Sequence, residues 1–361
     1  MIGERIKQRR IALGLSLEEL AERTQNYVTR QAIHKYEQGT SMPGSDVLLH
    51  LAEALGVKVE FFFREHEHSV ELSEPAYRKR GGASAKGLQA LQAKTRDVLE
   101  RYLFVESLFP SERFRRFSRL PVSDSHLRRV EDAEKASLAL RKKWNLGIDP
   151  IENVVEVFED RGVKVILLDG EYSFDGLSCW ANGKLPVVVV KKHLPGDRER
   201  FDLAHELGHL LLALPKSVDP EKAAHRFAAS FLVPAEAVFQ ELGRKRRRID
   251  LLELSMLKQK YGMSMQAWVY RALDLAIISS AQASVLYKTF RARGWSVQEP
   301  GPIVPGEEPK KFERLILQAV SEDLISPARA AELLGMPLNE FRRQMGAELV
   351  GGEACLTKSK S

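Results

Sequence analysis

Hydrophobic positions in the first sixty residues recur at helical spacing and are broken by turn residues at short intervals. Ile6, Ile11 and Leu13 mark a basic helix over 4–13 that ends near Gly14. Ser16-Leu17-Glu18-Glu19 is a capping box, Ser16 at the N-cap and Glu19 three residues on, opening a helix through Arg23. Thr29 caps a third helix over 30–38, stopped by Gly39. Ser45 or Asp46 starts a fourth, 47–55, stopped by Gly56. Leu17, Leu20, Ala21, Ile33, Tyr36, Leu48, Leu51 and Leu55 complete a small core. Helical spacing returns over 86–109 and 131–145, and Asp149-Pro150 opens a helix to Arg161. The pattern then changes to strands at 163–168, 175–180 and 186–190, with Asn182-Gly183 as a hairpin turn. Helices follow at about 235–242, 250–261, 264–276, 281–293, 312–322, 326–335 and 337–345. The fold class is therefore mainly α with a small β-sheet, α+β.

Three polar or proline-rich stretches interrupt the pattern: 64–85, 111–128 and 296–309, the last with Pro300, Pro302, Pro305 and Pro309. They suggest a domain at 1–65, a linker and connecting helix at 66–130, a domain at 131–275 and a C-terminal helical region at 276–361. Arg64-Glu65-His66-Glu67-His68 alternates charge with histidine; a solvated linker accounts for it better than a metal site.

The chemistry concentrates at His205-Glu206-Leu207-Gly208-His209. Histidines at i and i+4 share a helix face, so both imidazoles can reach one Zn²⁺ at about 2.0–2.1 Å. Glu206 can then face the open position and take a proton from water. A second helix begins with Asp219 as N-cap and Pro220 at N1 and stops before Pro234. It carries Glu221 and His225, again one turn apart, and either completes the metal set. Two His and one Glu plus water is a known catalytic zinc set, which favours Glu221. The plainer alternatives are a first-turn acid complementing the helix dipole and a histidine packed near the site.

Arg198-Glu199-Arg200-Phe201-Asp202-Leu203-Ala204-His205-Glu206-Leu207-Gly208-His209 followed by Glu221-Lys222-Ala223-Ala224-His225-Arg226-Phe227-Ala228 and Phe231-Leu232-Val233-Pro234 resembles the ImmA/IrrE-type metallopeptidases over roughly residues 135–275. His225 stands where asparagine is common in those proteins. The resemblance implies a zincin-like domain in which His205, His209 and Glu221 hold zinc, Glu206 is the general base, and the substrate is a repressor or antitoxin protein.

Gly14-Leu15-Ser16-Leu17-Glu18-Glu19-Leu20-Ala21-Glu22-Arg23-Thr24, then Thr29-Arg30-Gln31-Ala32-Ile33-His34-Lys35-Tyr36-Glu37-Gln38-Gly39, resembles the XRE family of lambda-repressor-like helix-turn-helix modules. The second helix of such a pair enters the major groove. Thr29, Arg30, Gln31 and His34 would reach base edges, Lys35 would lie nearer the backbone, and Arg9 and Arg10, with Arg5, would clamp phosphates. A dimer reading a palindrome on double-stranded DNA is the expected assembly.

Charge adds little. The chain carries a net +6, with basic runs at 78–80, 113–119, 141–143 and 244–248. Residues 1–60, however, hold eight Lys or Arg against eight Asp or Glu, so DNA binding rests on the motif. Hydrophobic content is 44%, no apolar run is long enough for a bilayer, and the N-terminus lacks a signal-peptide core. A cytoplasmic protein without a membrane partner is expected. The two cysteines, Cys179 and Cys355, make no zinc ribbon. The sequence thus reads as a transcriptional regulator with a zinc endopeptidase domain acting in a stress or mobile-element response. The alternatives are a non-catalytic regulator or antitoxin with a structural or sensory zinc, and self-cleavage near 64–85.

Overall fold

The computed structural model describes residues 2–63, 69–73, 85–117, 127–168, 176–191 and 195–346. In chain order the helices are α1 (Ile2–Ala12), α2 (Leu17–Arg23), α3 (Arg30–Glu37), α4 (Ser45–Leu55), α5 (Ala85–Ser107), α6 (Asp132–Trp144) and α7 (Val154–Asp160). Three strands follow, β1 (Lys164–Leu168), β2 (Gly176–Ala181) and β3 (Leu185–Lys191). The chain continues through α8 (Gly196–Leu211), α9 (Pro220–Leu232), α10 (Ala235–Leu242), α11 (Leu251–Tyr261), α12 (Met265–Asp274), α13 (Ser280–Ala292), α14 (Lys311–Ser321) and α15 (Pro327–Leu334). The tract at 64–68, the basic run at 78–80, Arg119 and Cys355 lie outside the described residues.

The chain forms two compact units. One comprises Met1–Val70, Ala93–Phe114 and Lys310–Ser361; the other, Glu71–Gln92 and Arg115–Pro309. The stretch 276–361 is therefore shared, its first part going to the second unit.

In the first unit local signals set the helix ends. Ser16 accepts from the Glu19 N–H while Glu19 reaches back to the Ser16 N–H, and Thr29 accepts from the Ala32 N–H. Gly56 closes α4 in the left-handed region at φ 61°. Ile6, Leu20, Ile33, Leu51 and Leu55 form the core. Leu15, Val28, Phe61 and Phe62 join it, whereas Ile11 stays half-buried outside it.

In the second unit, β3 is the central strand, parallel to β1 and antiparallel to β2. Asn182 and Gly183 take φ 50° and 64°, the left-handed pair a tight hairpin requires. Val188 and Val190 of β3, Leu203 and Leu207 of α8, and Phe227 and Phe231 of α9 belong to one core.

Two expectations are corrected. The helix expected from Asp149 begins at Val154, capped by Asn153. Carbonyls at 149, 151 and 152 instead accept from the Arg141 and Arg200 guanidinium groups, which occupy them in place of helical N–H donors. The proline-rich 296–309 stretch is not a free linker. Glu299 accepts from Lys258 and from the first N–H groups of α12, and Glu307 pairs with Arg200 on α8. A Cβ at Gly196 would fall 2.0 Å from the Pro305 carbonyl oxygen, so only glycine lets this strap cross the start of α8.

Candidate functional site

His205 and His209 stand one turn apart on α8, their Nε2 atoms 3.0 Å apart. Glu221, in the first turn of α9, brings Oε2 to 3.4 Å from His205 Nε2 and Oε1 to 3.4 Å from His209 Nε2. The approach depends on Gly208: a Cβ there would come within 3.1 Å of the Phe227 ring and 3.3 Å of Ala224 Cα. Asp219 fixes the start of α9 by accepting from the Glu221 and Lys222 N–H groups.

A tetrahedral ion at about 2.0–2.1 Å from each donor spaces its ligands about 3.3 Å apart. The three separations here, 3.0, 3.4 and 3.4 Å, match that edge, and two imidazoles with one carboxylate form a zinc-type donor set. His205, His209 and Glu221 are thus a group that could hold a metal ion. His225 is placed differently. Its ring packs at 62° against that of His205, centroids 4.5 Å apart, and lies 5.6 Å from Phe201.

Glu206 is buried, and one of its oxygens accepts from Ser178 Oγ at 2.7 Å. Ser178 comes from β2, as does Gly176, whose missing side chain leaves room for the Glu206 carboxylate; a Cβ there would sit 2.9 Å from it. Burial pushes the Glu206 carboxyl up to about 8. The Ser178 hydrogen bond opposes the rise, and the charges of Asp202 and Glu221 add to it. Sequence reasoning missed Ser178 and Gly176. Their only signal was a serine and a glycine in an otherwise apolar strand.

In the first unit, Thr29, Arg30, Gln31, His34 and Lys35 are all exposed on or just before α3, so this face is open to a ligand. Arg30 pairs loosely with Glu18 of α2 at 3.6 Å. The arginines of α1 expected at phosphates also have partners inside the unit. Arg10 grips Glu37 of α3 at 2.6 and 2.7 Å and donates to the Leu15 carbonyl. Arg9 donates to the Leu55 carbonyl, and Arg5 is buried against Glu100 of α5 at 2.9 Å. These arginines hold the helices together; a buried guanidinium takes the internal carboxylate because leaving either charge alone is costly.

Residues 6–62 match the family model for helix-turn-helix proteins, and residues 158–273 that for the IrrE N-terminal-like domain, a metallopeptidase family. The chain thus carries an N-terminal segment similar to helix-turn-helix modules of the XRE type and a later segment similar to IrrE-like domains. It is 42% identical over 64 residues to uncharacterised HTH-type transcriptional regulators of Sinorhizobium medicae and Rhizobium meliloti, covering 18% of this chain and 45% of each relative. A transcriptional regulator in the ATPase CF(0) region of Rhodospirillum rubrum is 41% identical over 66 residues, covering 18% and 59%. The chain thus spans about half the length of the curated relatives it matches. The helix-turn-helix match runs from within α1 through α4, and the IrrE-like match includes every residue of the metal-type cluster. No described helix is long and apolar enough to cross a membrane.

Proposed function

We propose that the protein is a DNA-binding transcriptional regulator whose IrrE-like domain is a zinc-dependent endopeptidase that cleaves a repressor or antitoxin in a stress or mobile-element response. The observation that carries the reading is the convergence of His205, His209 and Glu221 at the ligand spacing of one tetrahedral ion, with Glu206 beside them. Zinc held there supplies Lewis-acid polarisation of a peptide carbonyl and lowers the pKa of water. With the bound cation's charge opposing the effect of burial on its carboxyl, Glu206 would take the proton of the attacking water and pass it to the leaving amine. Ser178 holds the carboxylate in place through its 2.7 Å hydrogen bond.

In the helix-turn-helix module, Gln31 reads a base edge, Arg30, His34 and Thr29 line the same groove, and Lys35 contacts phosphate. Two copies on a palindrome account for the half-site geometry such modules use. The DNA module then concentrates the peptidase around regulators bound at the same promoter, an effective-concentration effect reaching about the mM range for short flexible links.

The test compares wild type with Glu206→Gln, in cells and with purified zinc-loaded protein. Wild type is expected to shorten one regulator in the cellular proteome and Glu206→Gln to leave it intact, with operator binding equal in both. If both proteins leave every regulator intact and repression survives the substitution, the zinc site is structural and the peptidase reading fails.

A further inference from the structure

β2 is the outer strand of the sheet, and its free edge already carries a piece of this chain. Leu72 bridges antiparallel to Ala181. The Ser73 N–H donates to the Trp180 carbonyl at 2.9 Å and the Asn182 N–H to the Glu71 carbonyl at 2.8 Å. Asn182 Oδ1 accepts from the Glu71 N–H at 2.8 Å, and Ser73 Oγ accepts from the Trp180 N–H at 3.0 Å. Among the described residues nothing else pairs with this edge.

Outward-facing backbone groups recur at every second residue of a strand. Trp180 and Asn182 face outward, so the next outward positions are Ser178 and Gly176, the two that abut Glu206. The chain's own pairing is built to stop short of them. Among the described residues that pairing ends at Ser73, whose hydroxyl takes the Trp180 N–H.

We propose that Glu71–Ser73 is a built-in stop on the peptide-binding edge of β2. It holds the end at Trp180–Asn182, so that an extended substrate pairs antiparallel only along Gly176–Cys179. A peptide in this direction runs with its N-terminal side toward Ser73, so the stop limits the contacts made by residues N-terminal to the cut to about four. The substrate is therefore an unfolded segment recognised through a short stretch of backbone, and longer N-terminal extensions gain nothing. This inference rests on the peptidase reading.

The experiment uses the full chain and a peptide mixture derived from a digested proteome. With zinc-loaded wild type, cleavage sites read by mass spectrometry are expected to show residue preferences through about four positions N-terminal to the cut and none beyond. In Ser73→Pro, which removes the N–H given to Trp180, and in Asn182→Gly, which keeps the turn but removes the acceptor for Glu71, preferences extend further. For peptides lengthened on that side, KM then falls about fivefold per hydrogen bond gained. Unchanged profiles in both variants, or preferences already reaching beyond four positions in wild type, overturn the stop.

Amide exchange in Glu206→Gln protein gives a readout that needs no turnover. The same peptides are expected to slow exchange at Gly176 and Ser178 while Trp180 and Asn182 stay as protected as before. Absence of protection at Gly176 and Ser178, or displacement of Glu71–Ser73, refutes the inference even if zinc-loaded wild type cleaves. Protection there without any cleavage refutes the peptidase reading and leaves the edge as a peptide-binding site.

Discussion

At the scale of single residues, the distances at the metal-type cluster separate two side chains between which the sequence only favoured Glu221. Glu221 meets both histidines at 3.4 Å, whereas His225 meets one of them ring to ring. Glu221→Ala is expected to leave purified protein well below one zinc per chain, measured by atomic absorption. His225→Ala is expected to keep near-stoichiometric zinc with an affinity loss of about 10–100-fold at most, the effect of losing a supporting contact. Glu206 makes a second prediction, for metal-free protein. Its carboxyl stands at about 8 in the folded chain, above its ordinary value, so the folded state holds a proton that the unfolded state releases. Stability from this group is therefore full in acid and is lost as pH rises through about 4.5 toward about 8, by about 3 kcal/mol at pH 7. Subtracting the urea-unfolding curve of Glu206→Gln from that of wild type isolates the effect; a difference independent of pH would refute it.

At the scale of elements, helix ends were legible and helix partners were not. The capping box of α2 and the glycine stop of α4 need only neighbours in sequence, so composition announces them. The side chains of Arg9 and Arg10 follow a different logic, because α1 meets α3 and α4 only after folding. Arg10→Met leaves Glu37 buried without its cation and is expected to destabilise the first unit by about 3–5 kcal/mol in urea unfolding. Gln31→Ala, on the exposed face of α3, is expected to leave stability within about 0.5 kcal/mol. In a binding titration it costs about 1–3 kcal/mol at one base pair of the operator. An equal loss on every duplex would exclude Gln31 as a base reader.

At the scale of the whole molecule, α8, which carries both histidines, is tied to residues a hundred positions downstream. Arg200, five residues before His205, is buried and ion-paired with Glu307 of the strap; Lys258 is held by Asp197 and Glu299. Glu307→Gln is expected to destabilise the second unit by about 3–5 kcal/mol, because a buried guanidinium loses its counter-charge. A chain ending at residue 295 is expected to lose zinc on gel filtration, whereas one ending at residue 309 retains it. Equal zinc in both would show that the strap is dispensable to the site.

By itself the sequence determined what is local. Caps and glycines placed most helix ends, Asn182-Gly183 placed the hairpin, and His205-Glu206-x-x-His209 put two imidazoles on one helical face because 3.6 residues make a turn. Tertiary structure decided what depends on which surfaces meet. Glu221 and His225 lie one turn apart on the same helix, and only the packing of α9 on α8 through Gly208 sets the first beside the donors and the second beside a ring. Ser178, Arg10 and Glu307 have ordinary sequence surroundings, and their partners lie 28, 27 and 107 residues away. Burial then fixes those pairings, since a polar group removed from water must find whichever partner the fold brings within reach.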